Sequence, residues 1–272
     1  MPELTAEDLR AAVAGRQWYH TIELRPGVVT PGWFDTRKAA AQLPWPDLTG
    51  LRCLDVGTFD GFWALEMQRR GGVVSAVDIL DPRGWDWPAG SEEATVAAIG
   101  NRKGDVDGYS LVARELGSSI ERRELSIYDL SADAVGEFDF VYVGSLLLHL
   151  RDPVKALSRV AGVLKPDGRL LLVDAIDQGL TRRHPHAPLA RLDGRGRPWW
   201  CRPNAAALGR MLEAAGFEVL AGPQPFRMMA GAGHTGPLSW RFLLSRGEPR
   251  RAFIERRFGD PHAAVLARKS RP

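Results

Sequence analysis

Leu51-Arg-Cys-Leu-Asp-Val-Gly-Thr-Phe-Asp-Gly-Phe-Trp63 sets the architecture expected of this 272-residue chain. Leu51, Cys53, Leu54 and Val56 form an apolar run that predicts a buried strand. The run ends in a glycine turn from Gly57 to Gly61, and Phe62-Trp-Ala-Leu-Glu-Met-Gln-Arg-Arg-Gly71 continues with the amphipathic spacing of a helix. Strand, glycine turn and helix start in that order bring bare backbone N–H groups up to a ligand. A second strand, Val73-Val-Ser-Ala-Val-Asp-Ile79, ends in an acid. Asp78 lies about 20 residues beyond the glycines, where nucleotide-binding α/β units hold a carboxylate for ribose hydroxyls, with Ile79 beside it.

Dinucleotide enzymes use G-x-G-x-x-G, because a pyrophosphate must sit close to the backbone. Here Phe59 replaces the middle glycine, and Asp55 and Asp60 flank the turn. Acids at that position repel a pyrophosphate and suit a cationic ligand. The Asp-x-Gly-x-x-x-Gly pattern from Asp55 through Thr58 to Gly61 resembles motif I of the class I methyltransferases. The resemblance implies S-adenosylmethionine, which has an ammonium and a sulfonium but no phosphate. A core strand with a structural turn and no ligand accounts for the same residues, and dinucleotide binding remains a further alternative.

Around this unit, strands alternate with helices. Strands are predicted at 51–56, 73–79, 119–127, 137–144, 168–174, 217–220 and 263–268, and helices at 1–16, 60–71, 109–116, 153–164 and 204–215. The fold class is therefore α/β, with a doubly wound, mostly parallel seven-stranded sheet. Residues 1–46 form an N-terminal helix and an irregular aromatic cap, punctuated by Pro26, Pro31, Pro44 and Pro46. Residues 47–272 form the main domain, with insertions near 80–108 and 223–262.

Composition narrows the setting. A hydrophobic fraction of 44% provides a core, and no run approaches the roughly 18 apolar residues of a membrane span. The acidic start, Met-Pro-Glu-Leu-Thr-Ala-Glu-Asp, lacks the order of a secretory signal, so the cytoplasm is the expected compartment. Cys53 and Cys201 are too far apart in sequence for a metal-ligand spacing, and no metal is expected. Net charge is +3, yet residues 181–272 carry +11 and residues 1–180 carry −8. That asymmetry suits an anionic partner such as RNA, but the basic residues are scattered, as on a solvated surface.

A second likeness is narrower. Gly144-Ser-Leu-Leu-Leu-His-Leu-Arg-Asp-Pro153, the helix after Asn204 and the ending Ala263-Ala-Val-Leu-Ala-Arg-Lys269 resemble the bacterial tRNA wobble-uridine carboxymethyltransferases and their simpler methyltransferase relatives. The tRNA enzymes use a carboxylated S-adenosylmethionine. The resemblance implies a Tyr just before the His of the first segment, where this chain has Leu148, and basic partners that have no counterpart in 17–46 or at His262-Ala263. A carboxylate buried without cationic partners is costly. A plain methyl donor and a small-molecule acceptor are therefore expected, with tRNA as the rival partner and a non-catalytic nucleotide-binding module as the other rival.

The resemblance implies roles along the carboxyl edge of the sheet. Asp55, Gly57 and Thr58 position the methionine part, with Asp60 near its ammonium and Gly61 closing the turn. Asp78 and Ile79 take the ribose, Tyr128 and Asp129 the adenine, and Gly144 and Ser145 end the fourth strand beside them. An oxygen acceptor needs a base near neutral pH, and His149 and His20 are the candidates, each equally readable as a packed imidazole. Trp18, Tyr19, Trp33, Leu148 and Trp200 are the candidate acceptor wall, or else ordinary packing.

Overall fold

The computed structural model describes residues 4–93, 108–192, 198–245 and 248–270. In chain order its strands are β1 (Trp18–His20), β2 (Glu23–Arg25), β3 (Val28–Val29), β4 (Gly32–Asp35), β5 (Arg52–Val56), β6 (Val73–Asp78), β7 (Glu121–Glu124), β8 (Phe138–Gly144), β9 (Leu164–Ala175), β10 (Ala190–Leu192), β11 (Cys201–Pro203), β12 (Phe217–Ala230) and β13 (Asp260–Lys269).

Alternation in the central strands shows why helices cover both faces. Leu54 and Val56 of β5, Val141 and Val143 of β8, and Leu170 and Leu172 of β9 enter one apolar core. Cys53, Phe140, Tyr142, Leu171 and Val173, the intervening residues, enter another. Side chains of a strand alternate between faces, so two buried sets mean two covering layers. Helices Pro153–Val163 and Ala205–Ala214 close the first core with Leu157, Val160, Leu208 and Leu212. Helix Phe62–Arg69 closes the second with Phe62, Trp63 and Met67, joined by Leu9 and Leu48. Each fully buried side chain of this kind is worth about 1.5–3 kcal/mol, which fixes the register.

Helix starts follow local chemistry. The Thr5, Asp152 and Asn204 side chains accept from the backbone N–H groups of Asp8, Lys155 and Ala207 at 3.1, 2.9 and 2.9 Å, satisfying donors that have no partner within the helix.

The sheet has nine strands, in the order β1-β4-β12-β13-β9-β8-β5-β6-β7. From β9 to β7 all pairings are parallel. β13 runs antiparallel to β9 and β12, β12 antiparallel to β4, and β1 parallel to β4. The seven expected strands are all present, and β1 and β4 are additional. They come from 17–46, a stretch that reads as irregular. The four strands of that stretch, β1 to β4, are two to four residues long, too short for a period of two to register. β4 attaches far along the chain, with Asp35 opposite Met229 and Phe34 opposite Ala230.

That attachment needs β12 to run on to Ala230, well past the expected end at Leu220. Register shifts near Ala221 and Gln224 carry it past Pro223 and Pro225, which offer no N–H to a ladder and so obscure the strand in the sequence. The third strand is shorter than 119–127, because Ile127–Asp129 turns as a 3-10 helix. In the expected insertion near 80–108, Pro82–Gly84 form one 3-10 turn, and 94–107 lie outside the described residues. Among the described residues no helix is long and apolar enough to cross a membrane.

Candidate functional site

Winding reverses at β5, which has β6 on one side and β8 on the other. Ligands bind such sheets beyond the carboxyl ends of the strands at that reversal. A cavity of 630 Å³ opens there, within the roughly 300–1,000 Å³ of small-molecule sites.

The turn after β5 is built to approach a ligand. Gly57 has φ +77° and donates to Val77 O at 2.8 Å. A Cβ at Gly57 would lie 3.3 Å from the Leu146 side chain, so glycine lets that leucine close over the turn. Phe59 also has positive φ, +51°. It is held there by Asp78, whose carboxylate accepts from Phe59 N at 2.9 Å and from Ile79 N at 2.8 Å. Each carboxylate oxygen takes more than one bond, so an anchored Asp78 still accepts from a ligand hydroxyl. Gly57, Phe59, Asp78 and Ile79 all line the cavity.

The other motif I residues stand behind that wall. Asp55, Thr58 and Asp60 are almost fully buried, and neither they nor Gly61 line the cavity. Burial pushes Asp55 up to about 7, and the nearby Asp78 charge adds to the rise. The Asp60 carboxylate accepts from Tyr19 N at 2.6 Å and His20 N at 2.9 Å. It ties β1 to the glycine turn, where the sequence suggests a cofactor ammonium.

One end of the cavity is charged and polar. Asp86 Oδ2 accepts from the Tyr128 hydroxyl at 3.0 Å and Arg151 N at 2.6 Å, and its carbonyl accepts from Trp200 Nε1 at 2.7 Å. Lys155 sits over the Tyr128 ring at 5.5 Å. Asp86, Tyr128, Arg151, Asp152 and Lys155 line this end. Asp129 is exposed and does not line it, and Trp200 braces it from outside.

In the middle, Gly144, Ser145, Leu146 and His149 follow β8. A Cβ at Gly144 would come within 2.7 Å of the Tyr142 hydroxyl. That hydroxyl is buried, lines the cavity and has no hydrogen-bond partner among the described residues. Ser145 Oγ lies 3.1 Å from His262 Nε2. His149 Nδ1 lies 2.5 Å from the Pro198 carbonyl. A carbonyl only accepts, so Nδ1 carries the proton and Nε2 keeps the lone pair of a base. Burial holds His149 below its ordinary pKa, against the pull of that carbonyl. Leu148 is buried off the wall, and Leu146 and Leu150 line it instead.

At the far end Tyr19, His20, Phe34, Thr36 and Met228 meet. Burial lowers His20 to about 3. Its ring stands edge-on to Tyr19 at 4.9 Å and stacks on Phe62 at 5.8 Å. Trp18 is packed in the core, donating through Nε1 to Val13 O at 2.9 Å. Trp33 lies tilted against His234, ring centroids 4.3 Å apart. Neither tryptophan reaches the cavity.

Asp86, Phe34, Thr36 and Met228 line the cavity without standing out as site residues in the sequence. The run Asp81-Pro-Arg-Gly-Trp-Asp-Trp-Pro88, after the acidic strand end, carries the only local signal for Asp86. The other three arrive through the β4–β12 pairing, which leaves no local trace.

Comparison with known proteins bears on the family and the fold. A family model for a methyltransferase domain matches residues 32–221. A ubiquinone biosynthesis O-methyltransferase of Xanthomonas euvesicatoria is 32% identical over 126 residues, covering 46% of this chain and 44% of the relative. The chain thus spans about half the length of the curated relatives it matches. The 1,6-didemethyltoxoflavin-N1-methyltransferase of Burkholderia thailandensis, solved with 1,6-didemethyltoxoflavin and S-adenosylhomocysteine, superposes with a TM-score of 0.54 at 18% identity, over 87% of this chain and 78% of that one. The [4+2]-cyclase SpnF superposes with 0.53 at 20% identity, over 98% of this chain and 93% of that one. At these identities the superpositions speak for the fold, which hosts more than one chemistry.

Proposed function

The chain belongs to the methyltransferase-domain family, and on that premise we propose that it transfers a methyl group from S-adenosylmethionine to an oxygen of a small-molecule acceptor. The observation that carries this reading is the joint lining of one cavity by Gly57, Asp78 and His149. S-adenosylmethionine supplies an activated methyl group on a sulfonium.

The residues present fit that cofactor. Gly57 leaves room under Leu146, Asp78 offers a carboxylate to ribose hydroxyls, and the buried Tyr142 hydroxyl beside Gly144 waits for a partner. Ile127 and Tyr128 flank the adenine end. Asp55 and Asp60 act from behind, Asp60 by holding Tyr19 and His20 against the turn. His149 is the general base. Its Nδ1–H is committed to Pro198, and its lowered pKa keeps Nε2 unprotonated at neutral pH, ready to take the acceptor's hydroxyl proton. The remaining work is alignment of the acceptor oxygen and exclusion of water. Residues 47–272 are the methyltransferase domain, and 1–46 complete its cavity.

Several features favour methyl over carboxymethyl transfer and a small molecule over tRNA. Leu146 and Leu150 make the wall beside His149 apolar. The lining cations Arg151 and Lys155 are engaged at the other end, one bonded to Asp86 and one over Tyr128. The matched relatives bear the name of O-methyltransferases, which supports oxygen as the accepting atom.

The experiment is transfer of label from methyl-tritiated S-adenosylmethionine into an extract separated into RNA, protein and small-molecule fractions. Label in the small-molecule fraction is expected. Label confined to tRNA revives the rival acceptor, and no label in any fraction overturns the enzymatic reading.

A further inference from the structure

The neutral end of the cavity carries a polar group that the protein leaves unsatisfied. Thr36 follows β4 and is 2% exposed. It precedes helix Arg37–Gln42 but makes no side-chain cap, and its Oγ1 has no hydrogen-bond partner among the described residues. Buried polar atoms without partners are rare in folded proteins, and each calls for an explanation such as a catalytic role or an absent water or ion. Thr36 lines the cavity.

What surrounds Thr36 restricts the ligand. Tyr19 and Phe34 meet at 5.4 Å and 75°, forming an aromatic corner. The β4–β12 register pairs Asp35 with Met229, which brings Thr36 alongside Met228. Among the described residues, none lining this end bears a formal charge, since burial keeps His20 neutral. The acids behind it are anchored to backbone and stand off the wall: Asp60 accepts from two N–H groups, and Asp174 from Leu146, Leu147 and Ala175. An anion finds no cation on this part of the wall, and an ammonium finds no carboxylate on it. A flat ring packs well against the aromatic corner.

We infer that this end is the acceptor subsite, that it selects an uncharged planar ring bearing a hydroxyl, and that Thr36 Oγ1 is the specificity-determining partner of such a polar substituent. The inference rests on the reading that the Asp78 end holds S-adenosylmethionine.

The test uses the intact chain, S-adenosylhomocysteine, and three probes of one size: phenol, benzoate and benzylamine. Thr36→Val keeps the side-chain shape and removes the hydroxyl. Because no internal bond is lost, the variant should melt at or above the wild-type temperature. S-adenosylhomocysteine should bind both proteins equally by calorimetry. Phenol, followed by ligand-observed NMR on the loaded protein, should bind the variant about threefold to tenfold more weakly, as expected for one lost neutral hydrogen bond. Benzoate and benzylamine should bind the wild type at least about tenfold more weakly than phenol. Equal phenol binding by the two proteins overturns the proposal, as does a charged probe that matches phenol. A melting temperature several degrees lower in Thr36→Val also overturns it, because the hydroxyl would then serve the fold. Failure of S-adenosylhomocysteine to bind the wild type is a separate readout and overturns the cofactor reading itself.

Discussion

The two ends of the cavity are made by different parts of the sheet and obey different rules. The Asp78 end is made by the parallel strands and by backbone: a glycine turn, a strand-end carboxylate held by two N–H groups, and an acid that bridges three segments. Its carboxylates Asp78 and Asp86 have protein partners, whereas the Tyr142 hydroxyl in the middle of the cavity has none among the described residues. The Thr36 end is made by β1, β4 and the far half of β12; its Thr36 Oγ1 has no hydrogen-bond partner among the described residues, and its His20 Nδ1 lies 3.9 Å from the Asp60 carboxylate, beyond hydrogen-bond reach. An end satisfied by the protein is preorganised for one constant ligand. An end with unsatisfied groups costs stability until a ligand arrives.

Acid titration should separate the two ends most strongly. His20 has an ordinary pKa of 6.5, lowered by burial to about 3 in the folded protein. The unfolded chain therefore binds the extra proton first. The stability contributed by neutral His20 is complete above pH 6.5 and is lost as pH falls toward 3. His20→Gln removes this titration. The stability difference between wild type and variant, from urea unfolding, should shrink by about 1.4 kcal/mol per pH unit below 6.5, or about 3 kcal/mol by pH 4. Asp55 titrates in the opposite direction, raised by burial to about 7, but it does so in both proteins and cancels. A pH-independent difference would mean that His20 is solvated and the end is not dry.

Asp78→Ala strikes the other end. It removes the proposed ribose acceptor and the anchor of Phe59 and Ile79. S-adenosylhomocysteine binding should weaken by about 1.5–3 kcal/mol, the range for charge-assisted hydrogen bonds. Calorimetry measures it, and unchanged affinity would remove Asp78 from the site.

These two ends were unequally legible in the sequence. Gly57, Asp78 and His149 sit at strand ends and turns, where glycine spacing and apolar runs are local signals. The seven strands of the main sheet could be read for the same reason, since two buried faces leave long apolar runs. Thr36 and Met228 are 192 positions apart and meet only because β4 pairs with β12. Nothing within a window of sequence encodes that. The prolines that hide the long course of β12 hide the subsite with it. The motif I acids show a different limit. Composition marks Asp60 as charged and close to the turn, but not that its carboxylate also accepts from the backbone of β1. Leu148 shows the cost of a one-residue rotation: in the 3-10 turn Leu147–His149 the wall is taken by Leu146, His149 and Leu150.

The smallest expected effect concerns Asp86, which belongs to the Asp78 end yet binds no strand of the sheet. It gathers the 81–88 segment, Tyr128, Arg151 and the Trp200 strap into one rim. Asp86→Asn keeps the size of the side chain and one carbonyl oxygen, so it weakens the bonds from Tyr128 and Arg151 N without deleting the hub. Its backbone bond to Trp200 is untouched. The affinity for S-adenosylhomocysteine should fall by about 0.5–1.5 kcal/mol, the net worth of an ordinary hydrogen bond. The loss should reside in a faster dissociation rate, because a looser rim releases a bound ligand sooner while leaving encounter unchanged. Stopped-flow displacement measures that rate. Phenol binding at the Thr36 end should stay the same. If Asp86→Asn instead disturbs phenol and leaves cofactor dissociation alone, the division of the cavity into a satisfied end and an unsatisfied end is drawn in the wrong place.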